Sequence, residues 1–149
     1  ILSCHIRRMD APSTIDPSTM KNTDPEGTIR AFLDAMENRD LIAAESFLAP
    51  GFVMEFPGGG KMHSLEELIA WAKPRYRSVG KRYERFDVSD AGGGGGEVGA
   101  VVYCFGTLEG VWNDGTSFSG IRFIDRFSIA DGNITDQKVW NDLGEVTSR

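Results

Sequence analysis

The segment from Ile121 to Ile134 constrains the fold more than any other part of this chain. Every second side chain from Ile121 to Ile129 is apolar except that of Asp125. This alternation is the period of a β-strand with one buried face. The dipeptide Asp131-Gly132 follows, and it is typical of a two-residue hairpin turn. The sequence therefore predicts two antiparallel strands here, joined by a tight turn.

Asp125 is the exception in this apolar row. Burial disfavours the charged form of a carboxyl group and raises its pKa, so such a group can exchange a proton near neutral pH. A buried unpaired acid costs on the order of several kcal/mol, which favours a functional role. Two alternatives remain: a structural hydrogen bond to a neighbouring element, or a different register that exposes Asp125 beside Arg122 and Arg126.

Three helices are predicted before residue 75. The first begins at Asp24 with Pro25 in its first turn, and Asp40 caps a short second helix. A capping box from Ser64 to Glu67 starts the third. Apolar residues at helical spacing, such as those between Ile29 and Met36, indicate one buried face.

From Lys81 onward the apolar period changes to two. Strands are predicted at 52–56, 61–63, 81–89, 97–112, 116–130 and 133–142. Helices followed by an antiparallel meander predict an α+β fold. The glycines from Gly92 to Gly96 are expected to form a flexible connection. We expect residues 1–22, which are poor in apolar side chains, to be a flexible tail, and residues 23–149 to form one domain.

Composition argues against several classes of function. The net charge is −6, which opposes binding to nucleic acid or to an anionic membrane surface. No apolar run approaches the roughly 20 residues that span a bilayer. Cys4 and Cys104 are far apart and histidines are few, so neither a disulfide framework nor a metal site is expected. A reducing cytoplasm fits these features, and a periplasmic protein with two free thiols is the alternative. No metal or organic cofactor is expected.

Residues 24–146 resemble the nuclear-transport-factor-2-like superfamily, and within it the SnoaL-like proteins, which include polyketide cyclases. The resemblance rests on the order of the elements and on two motifs, Phe123-Ile124-Asp125-Arg126-Phe127 and Asp131-Gly132-Asn133-Ile134. It implies a cone-shaped curved antiparallel sheet packed with three N-terminal helices. It also implies that Asp125 matches the catalytic aspartate of the cyclases, whose partner histidine would fall near Val111.

A further resemblance, to ketosteroid isomerases, implies that Phe32 stands where those enzymes have a tyrosine. Their base would fall on Phe56, or on Glu55 if the strand register shifts by one residue. Glu55 alternates with Val53, so both side chains face the same way. If this is the inner face of the sheet, the carboxyl groups of Glu55 and Asp125 face one cavity, and one can act as an acid and the other as a base. An exposed glutamate on an edge strand is the alternative.

The superfamily register implies further residues on the cavity wall, and strand alternation adds Phe123 beside Asp125. The residues implied by the register are Tyr103, Phe105, Thr107, Gln137, Val139 and Asn141. Polar side chains among them would orient a ligand, and aromatic ones would exclude water.

Three hypotheses of function follow. The first is a cofactor-independent isomerase or cyclase that moves a proton α to the carbonyl of a hydrophobic compound, with Asp125 as acid or base and Glu55 assisting. Phe32, Phe56 and Phe105 would exclude water from that reaction. The second is a non-catalytic module that binds an apolar ligand, and the third is a scaffold whose cavity is filled by its own side chains. The resemblance also implies a homodimer that forms through the outer face of the sheet.

Overall fold

Three helices pack on one curved, unclosed sheet of six strands. The computed structural model describes residues 24–91 and 99–146. The helices are α1 (Pro25–Glu37), α2 (Leu41–Glu45) and α3 (Leu65–Ala72), with a 3-10 turn at Leu143–Glu145. The strands are β1 (Leu48–Glu55), β2 (Lys61–Met62), β3 (Ser78–Ala91), β4 (Gly99–Val111), β5 (Ser117–Ala130) and β6 (Asn133–Asn141). The expected tail over residues 1–22 and the run of glycines lie outside the described residues.

The helix starts predicted from the sequence are confirmed. Asp24 is the N-cap of α1, and Pro25 occupies the first helical position. The Asp40 carboxylate accepts a hydrogen bond from a backbone N–H in the first turn of α2. At α3, the Ser64 hydroxyl accepts the N–H of Glu67 at 3.1 Å. The side chains of Asp40 and Ser64 thus satisfy donors that the helices themselves leave unpaired, whereas the Asp24 side chain makes no capping hydrogen bond.

The sheet has the strand order β2-β1-β6-β5-β4-β3. Strands β3 to β6 form the predicted antiparallel meander, and β5 turns into β6 at Asp131 and Gly132, which both have positive φ (50° and 77°). The sheet was predicted to be antiparallel, but it is mixed, because β1 runs parallel to β6. A hairpin enforces antiparallel pairing, but β1 and β6 are joined through α3 and four other strands, so no tight turn fixes their relative direction.

Strand β3 contains a bulge that sequence periodicity did not predict. The pairing with β4 shifts between Tyr83 and Arg85, so Glu84 and Arg85 are both exposed. Tyr83 and Phe86 nevertheless pack together, with ring centroids 5.0 Å apart. One extra residue in a strand allows this spacing of three between two side chains on one face. The bulge therefore brings Phe86 to the face that Lys81 and Tyr83 already share.

The hydrophobic core lies between the sheet and the helices. Phe32 of α1 meets Phe127 of β5 edge to face, with ring centroids 6.0 Å apart. The predicted inward row of β5 is confirmed, since all five of its members are buried: Ile121, Phe123, Asp125, Phe127 and Ile129. The opposite face of the sheet exposes Tyr103, Ile124 and Trp140. In the part of the chain that the structure describes, we find no helix with the length and apolar character needed to cross a membrane.

Replacing Gly106 with alanine tests the close approach of β4 to the bulge. A Cβ atom on Gly106 would lie 1.9 Å from the backbone oxygen of Arg82, so the strands would have to separate. We expect G106A to lower the free energy of unfolding by about 1–3 kcal/mol or more, measured by urea denaturation. The control is G60A, because a Cβ there meets no atom within 4 Å. Equal stability of the two variants would contradict this register.

Candidate functional site

Asp125 lies at the centre of β5 with its side chain on the helix-covered face. Its Cα pairs with Cys104 of β4 on one side and Val139 of β6 on the other. The residue is fully buried, at 0% exposure. The predicted inward orientation of this carboxyl group is therefore confirmed.

The carboxylate is not alone, because Lys81 of β3 is its partner. The ammonium Nζ of Lys81 donates a hydrogen bond to Oδ2 of Asp125, and the two groups form an ion pair. The Lys81 side chain is 22% exposed and that of Asp125 is 0% exposed. Oδ1 of Asp125 is buried, with no hydrogen-bond partner among the described residues. The pair thus has one buried end and one end that reaches toward solvent.

The environment of the pair raises the pKa of both groups above their ordinary values in water. Burial raises the pKa of Asp125, and the charge of Lys81 opposes that rise without cancelling it. Burial alone would lower the pKa of Lys81, but the attraction of Asp125, with smaller contributions from Tyr83 and Cys104, raises it instead. Lys81 is therefore an ammonium ion at neutral pH.

A cavity of about 120 Å³ adjoins the exposed end of this pair. It lies between α1, α3 and the first residues of β3. Its walls are mostly apolar, with Lys81, Tyr83 and Gln137 among the polar groups; the lining residues of α1 and α3 include Phe32, Leu33, Met36, Leu68, Ile69 and Ala72. Asp125 does not border the cavity, so Lys81 presents the charge of the pair to a ligand. The cavity is smaller than the roughly 300–1,000 Å³ of sites for drug-sized ligands.

Tyr83 and Cys104 lie near the ion pair, and the phenol of Tyr83 and the thiol of Cys104 are both protonated and uncharged. Tyr83 lines the cavity and packs edge to face on Phe123, with centroids 6.0 Å apart. Burial raises the pKa of Tyr83 and raises the pKa of the Cys104 thiol to about 12. The phenol of Tyr83 therefore remains a hydrogen-bond donor at neutral pH, on the same wall as the Lys81 ammonium.

The structure brings some of the expected wall residues to the cavity. Phe32, Phe56 and Gln137 border it. Phe123 and Val139 are buried next to the ion pair instead, and the Phe123 ring centroid is 5.0 Å from Nζ of Lys81. The three expected residues that border the cavity come from different elements: Phe32 lies on α1, Phe56 directly follows β1, and Gln137 lies on β6.

Asn141 is half-buried at the end of β6 and does not border the cavity. Its side-chain oxygen accepts the N–H of Leu143 at 3.1 Å. This hydrogen bond ties the side chain to the 3-10 turn, which gives Asn141 a local structural contact.

The structure places Tyr103, Phe105 and Thr107 away from the cavity, which corrects the superfamily register. On β4 the buried side chains are the alternate ones, including Val102, Cys104 and Leu108. Because Cys104 pairs with the inward-facing Asp125, its neighbours must face outward. Tyr103 is exposed there, and its hydroxyl accepts a hydrogen bond from Arg126 at 3.2 Å.

Glu55 likewise lies on the outer face. Phe52 and Met54 of β1 are buried, so Val53 and Glu55 alternate to the other side. The Cα of Glu55 pairs with those of Lys61 and Lys138. The structure therefore does not bring Glu55 together with Asp125, whose charged partner is the Lys81 ammonium instead.

The sequence interpretation missed Lys81. Lysine is usually exposed, so its position at the start of the period-two segment gave no reason to single it out. The available signal was indirect: an inward carboxylate needs a cation, and Lys81 alternates with Tyr83 onto one face. No cluster of three or more His, Cys, Asp or Glu side chains suited to a metal ion occurs within residues 24–91 and 99–146.

Comparison with known proteins supports the fold. The family model of the SnoaL-like domain matches residues 29–137. No curated protein sequence matches the chain.

Several solved structures are similar to the chain. A nuclear-transport-factor-2-like protein of unknown function from Burkholderia pseudomallei is 20% identical, with a TM-score of 0.65, over 82% of this chain and 96% of its own. TerC, co-crystallised with polyporic acid, is also 20% identical at a TM-score of 0.65, over 80% and 92%. A candidate polyketide cyclase from Xanthomonas campestris is 19% identical at a TM-score of 0.53, over 86% and 95%. These likenesses establish the fold.

Removing the cation of the pair tests its role in stability. We expect K81M to lower the free energy of unfolding at pH 7 by about 3–5 kcal/mol, because it leaves a buried carboxylate without a partner. The double variant K81M/D125L, with no buried charge, should recover much of that loss. Urea denaturation measures both. A double variant that is less stable than K81M would contradict the pairing.

The pH dependence of K81M distinguishes a lost charge from lost packing. Burial raises the pKa of Asp125 above its ordinary 3.8, and removing Lys81 removes the effect that opposes this rise. In K81M the native state therefore binds the proton more tightly than the unfolded state, and stability falls as pH rises above about 3.8. The difference in the free energy of unfolding between wild type and K81M should thus be smaller near pH 4 than at pH 7. A difference that does not change with pH would indicate packing alone.

Proposed function

The chain belongs to the SnoaL-like domain family, and we propose that its cavity takes up a small, largely apolar carbonyl compound on which Lys81 and Asp125 carry out proton transfer. The product would be an isomerised or cyclised form of the same compound, made without a metal or organic cofactor. The observation that carries the proposal is the ion pair itself, in which a buried carboxylate holds an ammonium group at the wall of an apolar cavity.

The cost of such a pair supports a functional reading. Taking two charges out of water costs several kcal/mol per ion by order of magnitude, and apolar residues in their place are often as stable or more so. Perturbed titratable groups beside a cavity are enriched at functional sites. Within the described chain, Lys81 is the ammonium group that both meets a buried carboxylate and lines the cavity.

The chemistry assigned to each residue follows from its position. Lys81 and Tyr83 would donate hydrogen bonds to the carbonyl oxygen, on which negative charge develops as an α-proton leaves. Asp125 lies behind Lys81 and does not border the cavity, so its role requires Lys81 to turn toward the carbonyl oxygen and uncover an oxygen of Asp125, which then accepts the α-proton. The C–H electrons form the enolate, and return of the proton to another carbon completes an isomerisation. Phe32 and Phe56 would exclude water from the charged groups.

A second candidate is a carrier that binds the same kind of compound without converting it. It is favoured by the complete burial of Asp125 beneath Lys81 and by the outward position of Glu55. A carrier would use Lys81 only to hold the oxygen of its ligand. The two candidates share the cavity and differ in whether a C–H bond breaks.

We also propose the setting of this activity. Residues 23–149 would act as one domain, with residues 1–22 as a tail. Exposed Tyr103, Ile124 and Trp140 on the outer sheet face support a homodimer. The free, buried thiol of Cys104 is compatible with the cytoplasm.

Hydrogen–deuterium exchange of a simple ketone tests proton transfer directly. We expect the protein to accelerate exchange of the α-protons of 2-tetralone in D₂O, followed by ¹H NMR. D125N should slow the catalysed exchange about 100-fold or more, because general acid–base catalysis supplies about that factor. The matched control is D90N, which alters an exposed aspartate on β3.

The outcomes separate the two candidates. Catalysed exchange at the wild-type rate in folded D125N would refute the role of Asp125. If 2-tetralone shifts the NMR signals of the cavity residues and its exchange is not accelerated, the carrier is correct.

A further inference from the structure

A second recess of about 300 Å³ adjoins the cavity and has a different chemical character. Both spaces share four lining residues: Arg39, Ile69, Ala72 and Tyr76. The recess adds Lys73 at the end of α3, together with Arg77 and Asn113. Three of its seven lining residues are therefore cations, whereas Lys81 and Arg39 are the cations on the wall of the first cavity.

These cations lack acidic partners. Among residues 24–91 and 99–146, no ion pair within 4.0 Å involves Arg39, Lys73 or Arg77. Glu37 lies near Gly80 on the wall of the first cavity. Asp114 approaches Arg77, but its oxygen already accepts two hydrogen bonds from Thr116, at 2.9 and 2.6 Å. A local excess of positive charge is notable in a chain whose net charge is −6.

The recess is also held in shape by contacts across it. The side-chain amide of Asn113 donates to the backbone oxygen of Lys73 at 3.1 Å, and the guanidinium of Arg77 donates to the backbone oxygen of Asn113 at 3.2 Å. These bonds join the end of α3 to the turn between β4 and β5. The backbone at Lys73 and the guanidinium of Arg77 are therefore restrained before a ligand arrives, which lowers the cost of binding.

Tyr76 lies at the junction of the two spaces. Its phenol is mainly affected by burial, which raises its pKa, and the charges of Lys81, Arg39 and Arg75 act in the opposite direction. The ammonium of the first cavity and the guanidinium of Arg39 are thus both within electrostatic range of one side chain. Tyr76 and three other residues line both spaces, so the two spaces lie side by side.

We infer that the ligand of this protein is amphipathic, with an apolar, carbonyl-bearing body in the first cavity and an anionic group, a carboxylate or a phosphate, bound by Arg39, Lys73 and Arg77 in the recess. This inference rests on the proposed function, since it names the class of compound that the same site accepts. Arginine and lysine donors suit both kinds of anion, because carboxylates and phosphates accept several charge-assisted hydrogen bonds.

Binding of three matched probes tests this inference. The probes are 4-phenylbutan-1-ol, 4-phenylbutanoate and 4-phenylbutyl phosphate, which share one apolar body and differ in the group at its end. We expect each anion to bind about tenfold or more tightly than the alcohol, by isothermal titration calorimetry in low salt. The stronger of the two anions identifies whether carboxylate or phosphate fits the recess.

A charge-neutralised double variant locates the anion. K73Q/R77Q should lose about tenfold or more in affinity for the anions and keep its affinity for the alcohol, because Lys73 and Arg77 line the recess and not the first cavity. The matched control is K61Q/K138Q, which removes two positive charges from β2 and β6, away from both spaces. Equal affinity for all three probes, or equal loss of anion affinity in both double variants, would overturn the inference.

Failure of the proposed function would give a different result. If the first cavity accepts no apolar body, the alcohol does not bind, and the two anions bind no more tightly than acetate and inorganic phosphate. K73Q/R77Q would still weaken the binding of those small anions. If the alcohol binds and the two anions bind no more tightly than the alcohol, the proposed binding of an apolar body in the first cavity stands. The proposed anion site in the recess is then refuted.

Discussion

The ion pair between Lys81 and Asp125 joins the fold of this protein to its candidate chemistry. It connects β3 to β5 across the intervening β4, on the face that the helices cover. A buried carboxylate without its cation is strongly destabilising, so the strand register that places the two groups together is also the register that the core requires. The same pair gives an apolar cavity its ammonium group. In the proposed function, stability and binding would therefore depend on the same two side chains.

Much of the fold follows from local signals in the sequence. Caps at Asp24, Asp40 and Ser64 predicted the three helix starts, and period two predicted the long strands. The inward row of β5 was predicted because every second side chain from Ile121 to Ile129 is apolar except that of Asp125, and Asp131-Gly132 predicted the turn that follows. The parallel pairing of β1 with β6 could not be predicted in this way, because it depends on where distant elements meet rather than on any local pattern.

The candidate site was only partly predictable, for a related reason. Asp125 stood out because it interrupts an apolar row, but a lysine that faces inward looks like any other lysine in sequence. The positions assigned by family register on β4 were wrong because Cys104, not Tyr103 or Phe105, pairs with Asp125. Glu55 was open to two interpretations, and burial of Phe52 and Met54 decides for the outer face. Each outcome was set by pairing between strands, which a single strand's pattern does not contain.

Titration of the Lys81 ammonium by NMR tests the central claim most directly. With ¹³C and ¹⁵N labels on lysine, the Cε and Nζ signals of Lys81 report its protonation in wild type and in D125N. The account predicts that Lys81 titrates above the ordinary 10.5 in wild type, and that its pKa falls in D125N because burial then acts without the attraction of the carboxylate. A Lys81 that titrates at 10.5 in both proteins would contradict the account, because it would place the ammonium in water and away from Asp125.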